Sequence, residues 1–212
     1  MPTLLDVFAL PRGLRSRTRK LREAFLRGYG MSHPDMVHHQ LDLARDYANL
    51  PSLDEWDVEA KFEMMYGAGE LDEEQARRWN ALTKLTDQLH AADVVLLTAP
   101  MWNFGVPWMM KRWIDCVAQC RLTWEVRGAE YCGLLQGRTG VILTSRDGAY
   151  PPGTPHGAWD YHVPYLKHML GFMGIGPIHT VVAEGLAPAG GELHLSLLEP
   201  AMQEAETIGR AL

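Results

Sequence analysis

The chain has 212 residues, 47% hydrophobic and 22% charged, the balance of a globular protein large enough to bury a substantial core. Its formal net charge of -6 argues against bulk attraction to nucleic acid or an anionic membrane, and no apolar run approaches the roughly 20 residues that span a bilayer. Three cysteines, odd in number and without the spacing of a secreted framework, suit a reducing compartment, so a cytoplasmic protein is expected.

Leu4 to Leu10 (LLDVFAL) reads as a first strand. The basic run after it, RGLRSRTRKLR, has the charge of a transit peptide but follows a strand, whereas a targeting peptide is amphipathic from its start. The chain is therefore expected to be complete. A helix from about Arg17 to Tyr29 leads to a second strand, Val37 to Leu43. Asn49 to Asp72 is irregular and reads as loops around one short helix. Asp72 is placed to cap a helix near Glu73–His90, with acidic residues 73 and 74 suited to its first turn. Asp93–Thr98, Gly140–Ser145 and Ile178–Ala183 complete five strands, with helices near Pro107–Gln119, Trp159–Phe172 and Leu193–Arg210. Short, continuously apolar strands alternating with helices imply a parallel sheet covered on both faces. Right-handed crossovers then give a doubly wound α/β fold, most simply the five-stranded flavodoxin-like order. No repeat, low-complexity tract or linker divides the chain, so one domain over 1–212 is expected.

In such a sheet the ligand crevice lies at the carboxyl ends of the strands. Strand one is followed there by LPRGLRSRT, strand three by APMWNFGVP and strand four by SRDGAYPPG. The first turn opens a helix at Ser16, Arg17 and Thr18, where free N–H groups, hydroxyls and a guanidinium suit one phosphate; Ser16 reads equally well as a plain helix cap. It is neither a Walker loop nor a dinucleotide fingerprint, for want of the glycines. In the second turn, Pro100 ends the strand's ladder and Pro107 suits the first turn of the next helix. Between them Asn103 and the backbone can face a planar, hydrogen-bonding ligand, walled by Trp102 or Phe104. Met110, Trp113, Ile114 and Val117 form one helical stripe and read as core, while Trp108 reads as packing or a dimer surface.

Pro100 to Asp115 matches P-M-[YW]-N-F-x-x-P-x-x-x-K-x-[WY]-x-D, and with it the chain resembles the FMN-dependent NADH-azoreductases, also described as quinone reductases. The likeness extends to the turn after strand one, the S-R-G-G turn after strand four, TW and GLLQGR within 123–138, PYL at 164–166, GFMGI at 171–175 and AEG at 183–185. The resemblance implies that Ser16, Arg17 and Thr18 hold the FMN phosphate, that Met101, Trp102, Asn103 and Phe104 line the isoalloxazine, and that Ser145, Arg146, Asp147 and Gly148 lie near its pyrimidine edge. It further implies a homodimer in which Phe172 of the second subunit covers the ring, with Trp102 and Trp124 also in the substrate pocket. NADH or NADPH would supply a hydride and an azo compound or quinone accept it in a ping-pong cycle, the chemistry being the flavin's, so no side chain need be an acid, base or nucleophile. The chain differs from the family pattern at Leu10, where many members have a serine facing the phosphate, at Asp147 in place of a glycine, and at Val126, where an aromatic often covers the substrate. Leu10→Ser is expected to tighten FMN. The Asp147 carboxylate is expected either to face the flavin's N1–O2 edge or to turn outward toward Arg146 or solvent.

Other constellations are bland. His38 and His39 point to opposite faces of a strand, and His156, His162 and His168 lack a helical ligand spacing. Cys116 and Cys120, four apart on one helix face, read as core thiols without a third metal ligand. Two other functions fit the same fold, a flavodoxin-like electron carrier without nicotinamide turnover and a binding protein that has lost its flavin. Trp102 and the 49–72 insertion argue against a carrier by adding walls to the pocket. Colour of the purified protein and bleaching by NADH separate the three.

Overall fold

The computed structural model describes residues 1–187 and 193–212. Thr3–Phe8 (β1), Val37–Asp42 (β2), Val94–Thr98 (β3), Thr139–Ser145 (β6) and Ile178–Ala183 (β7) pair in parallel in the order β2-β1-β3-β6-β7, the doubly wound order expected. Arg17–Ser32 (α1) and Leu198–Ala211 (α7) cover one face. Glu73–Ala91 (α4), Trp108–Val117 (α5) and Val163–Phe172 (α6) cover the other, with Leu43–Asp46 (α2) and Glu55–Tyr66 (α3) beside them.

Because both faces are buried, successive strand residues feed two separate cores. Leu5, Val7, Val95, Leu97 and Ile142 pack with Leu82 and Leu89 of α4, Met110 and Trp113 of α5, and Leu166 of α6. Leu4, Leu96, Val141, Leu143 and Val181 pack with Leu21 and Phe25 of α1 and Ala201 and Ala205 of α7. Asp6 is a fully buried charge on the second face. Arg22 of α1 answers it through Nη2 at 2.5 Å and Nε at 3.0 Å, and His38 on β2 lies 2.9 Å away. Such a pair contributes little net stability but fixes helix against strand, since either charge alone would be stranded.

Several boundaries depart from the sequence reading. β1 ends at Phe8, and α6 starts at Val163 rather than near Trp159, beginning with Pro164 in its first turn. α7 begins at Leu198, after a single 3-10 turn. α5 stops at Val117, so Cys120 lies beyond the helix and shares no helical face with Cys116; burial pushes the Cys116 thiol up to about 12. A hairpin of Trp124–Arg127 (β4) and Glu130–Gly133 (β5) was not foreseen. Its turn is Gly128–Ala129, with Gly128 at φ 66°. The 49–72 segment does hold one helix of some length, α3, closed by a capping box between Asp54 and Asp57, and Asp72 caps α4 as expected, paired with Gln75.

α1 and α7 cross at glycine. A Cβ on Gly28 would collide with the Glu206 carbonyl, and one on Gly209 with the Phe25 carbonyl. Gly30, on the same helix as Gly28, faces open space. Gly209→Ala should therefore lower stability by about 1–3 kcal/mol, an overpacking cost. Gly30→Ala should raise it by about 0.4–1 kcal/mol through the unfolded state. Thermal unfolding of the two variants should move in opposite directions.

Candidate active site

Three turns meet at the carboxyl edge of the sheet and enclose a cavity of about 390 Å³, within the roughly 300–1,000 Å³ of small-molecule sites. Every residue assigned to the cofactor from the sequence borders it: Ser16, Arg17, Thr18, Met101, Trp102, Asn103, Phe104, Ser145, Arg146, Asp147 and Gly148. Pro11, Arg12, Pro100 and Tyr150 complete the wall. Tyr150 was missed, although an aromatic in the turn after a central strand was its visible signal.

The first turn leaves β1 through Pro11 and a short 3-10 segment, and Ser16 takes an extended conformation before α1. Ser16 makes no side-chain cap bond, so the plain-cap reading of this residue does not hold. The first N–H groups of α1 lack intrahelical acceptors and carry the positive end of the helix dipole. Leu10, by contrast, is buried and borders no part of the cavity, which removes the basis for expecting Leu10→Ser to act on a phosphate.

The second turn is tighter than its sequence suggests. Trp102 and Gly105 exchange both backbone hydrogen bonds at 2.9 Å, leaving a two-residue tip of Asn103 at φ 45° and Phe104 at φ 67°. This is the twist of a primed hairpin turn, made here without glycine. Asparagine tolerates the left-handed region; phenylalanine does so only when its surroundings hold it. Phe104 is so held: its ring meets Trp159 at 5.7 Å and Tyr150 at 6.1 Å, edge to face, and its carbonyl accepts the Tyr161 N–H at 3.0 Å.

The third turn is pinned by charge. The Arg146 guanidinium is buried, donating to Asp160 at 2.6 Å and to Glu184 at 2.7 and 3.0 Å, and it lies 4.9 Å over the Tyr150 ring. Arg146 thus borders the cavity with its charge already matched. A Cβ on Gly148 would press into the Tyr150 phenol, so a side chain there would displace that ring. Two side-chain contacts close the first turn onto the third: the Thr18 and Ser145 hydroxyls at 2.6 Å, and Arg17 Nη2 donating to Asp147 at 2.5 Å. Asp147 is more than half exposed to solvent, and its ion-pair partner is Arg17, not Arg146. Arg17 Nη1 is buried with no hydrogen-bond partner among the described residues. Arg17, Ser16 and Thr18 border the cavity at the N-terminus of α1, and a guanidinium with hydroxyls and free helix N–H groups is a donor set that a phosphate ester would satisfy, so the residues fit FMN.

Trp124 and Phe172 come together under the β4–β5 hairpin, ring centroids 5.2 Å apart, with Tyr131 against both. Within one chain they do not border the cavity, and Trp102 is separate from them. Trp102 instead faces a second hollow of about 510 Å³ across the hairpin tip, shared with Asn103 and walled by Trp108, Lys111, Tyr161 and Tyr165.

Residues 2–207 match the family described as "Flavodoxin-like fold". The chain is 34% identical over 206 residues to an FMN-dependent NADH:quinone oxidoreductase of Nitratidesulfovibrio vulgaris (strain DP4), covering 97% of each. It is 34% identical over 202 residues to FMN-dependent NADH:quinone oxidoreductase 2 of Pseudomonas syringae pv. tomato, covering 95% of this chain and 90% of that protein. The crystal structure of an azoreductase from Bacillus anthracis str. Sterne superposes with a TM-score of 0.87 at 28% identity, covering 100% of both chains.

His162, fully buried at the start of α6, titrates with a clear sign. Burial lowers its pKa from 6.5 to about 4, Asp160 opposing and Arg146 assisting. The unfolded chain therefore takes up this proton first, and its contribution to stability is complete above pH 6.5 and lost as pH falls toward 4. Stability should drop by about 3 kcal/mol across that window on this account. Urea unfolding at a series of pH values should show the drop, and His162→Gln should flatten it.

Proposed function

Because the chain belongs to the flavodoxin-like-fold family over residues 2–207, we propose that it is an FMN-dependent NADH:quinone oxidoreductase and azoreductase, working as one FMN-binding domain over 1–212. The observation that carries the reading is the junction of three turns into one cavity with an unmatched, buried Arg17 nitrogen at its α1 end. Ser16, Arg17 and Thr18 would hold the phosphate, Met101 to Phe104 would flank the isoalloxazine, and Arg146 and Gly148 would approach its pyrimidine edge, while Ser145 and Asp147 meet Thr18 and Arg17 at the phosphate end. FMN held there would supply the redox chemistry for hydride exchange between NADH or NADPH and a quinone or azo compound. The protein's part is to bind and orient: a rigid tip presents Asn103, and aromatic rings exclude water. No side chain at the cavity is assigned as acid, base or nucleophile.

The same reading makes the enzyme a homodimer. Trp108 and Tyr161 are more than half exposed around the second hollow, and Trp102 is 40% exposed, an aromatic surface of the kind that marks an interface. A partner subunit would bring its own Trp124–Phe172 cluster toward that hollow to complete the acceptor pocket. Three unpaired cysteines suit the cytoplasm, and no helix among the described residues is long and apolar enough to cross a membrane.

The purified chain should be yellow with about one FMN per chain, and NADH should bleach it anaerobically. No flavin absorbance after saturation with FMN would end this reading. Asn103→Ala removes both the amide and a residue suited to positive φ, and should slow flavin reduction about tenfold or more, a preorganised polar contact being lost. Asn103→Gly keeps the turn and should show the same kinetic defect with less loss of stability, measured by stopped-flow and thermal unfolding. Sedimentation should give a dimer at micromolar concentration; a fully active monomer would take Phe172 out of the site.

A further inference from the structure

The contact between Arg17 and Asp147 bridges two turns that are 130 residues apart in sequence. Arg17 is the first residue of α1, with its side chain 20% exposed; Asp147 hangs from the turn after β6 at 56%. Both border the cavity, and the Asp147 backbone is fixed by the Ala187 N–H donating to its carbonyl at 3.2 Å. One terminal nitrogen of Arg17 is committed to the carboxylate and the other is buried without a partner.

We propose that Asp147 sets cofactor specificity at the phosphate end of the cavity: it competes with a phosphate ester for the Arg17 guanidinium. The chain then favours FMN over riboflavin by less than Arg17 alone would allow. The inference rests on the FMN reading above. A phosphate ester carries up to two negative charges and takes a guanidinium through its fork of donors. With Nη2 committed to Asp147, half of that fork is taken, and the carboxylate adds a like charge within a short distance of the incoming phosphate. Riboflavin carries no phosphate and is indifferent to both effects. Because Asp147 is more than half exposed, the competition is moderate and screened by salt.

The test is a fluorescence-quenching titration of FMN and of riboflavin into the full-length chain and its variants. Asp147→Asn, which keeps the shape and removes the charge, should tighten FMN about two- to fivefold at low ionic strength and leave riboflavin unchanged, as expected for an exposed charge pair. The gain should shrink in about 0.5 M salt, where the screening length falls to a few ångströms. Asp147→Glu, which keeps the charge, should stay with the wild type. Weaker or unchanged FMN binding by Asp147→Asn overturns the inference, as does a parallel shift of both flavins. If the wild type binds FMN and the asparagine variant does not differ, this inference alone is lost. A wild type that binds neither flavin overturns the FMN reading and this inference together.

Discussion

The site depends on one buried cation. Arg146 leaves the end of β6 with its side chain only 6% exposed, and a guanidinium so placed must be surrounded by acceptors or the structure does not form. Asp160 and Glu184 provide them, and each does more than neutralise. Asp160 also accepts the His162 and Val163 N–H groups, which starts α6, while Glu184 accepts the Tyr150 N–H. One charge therefore gathers the end of β6, the long loop before α6 and the end of β7 at a single point. Replacing these groups by apolar ones could cost little free energy, since buried ion pairs are rarely strong net stabilisers. What the network supplies is position: it holds Tyr150 under the guanidinium and against Phe104, and so supports the tip that carries Asn103.

The sheet contributes the rest by being indifferent to ligand. Its central strands β1, β3 and β6 are buried on both faces, so their side chains are largely committed to packing, and polar function is displaced to the turns at one edge. The exception, Asp6 with Arg22, lies on the α1 face and fixes the helix whose N-terminus borders the cavity. Core and site are thereby joined through α1. Its hydrophobic side is locked by the glycine crossing with α7 and the buried pair with β1, and its first residue, Arg17, reaches Asp147.

Much of this was legible in the sequence, for identifiable reasons. Continuous apolar runs such as VVLLT leave little choice but a strand buried on both faces, and Asp72 followed by acidic residues 73 and 74 is a local helix-start signal that needs no tertiary information. Pro100 to Phe104 could be assigned to the cavity because Pro100 and Pro107 fix where the strand ends and the helix begins. What was not legible depends on residues far apart in the chain. Nothing near Arg146 announces Glu184, and nothing near Asp147 announces Arg17. The β4–β5 hairpin was hidden by mixed polar residues and by a Gly-Ala turn in place of the stronger Asn-Gly signal. Leu10 was misplaced by position alone: it aligns with a residue that faces a ligand, yet here it is buried and off the cavity wall. Trp124 and Phe172, read as parts of one substrate pocket with Phe172 supplied by a second subunit, meet within this chain and border no part of its cavity.

The hairpin tip from Trp102 to Gly105 stands between two hollows, and Trp102 and Asn103 border both. A partition only two side chains thick cannot present independent surfaces to its two sides. A rotamer of Trp102 chosen by whatever rests on one side is the rotamer met from the other, and Phe104, wedged between Tyr150 and Trp159, leaves the backbone little room to absorb the difference. A ligand on one side that selects a Trp102 rotamer would be coupled to a ligand on the other only through that side chain, and any such coupling is reciprocal, each altering the other's affinity by the same factor.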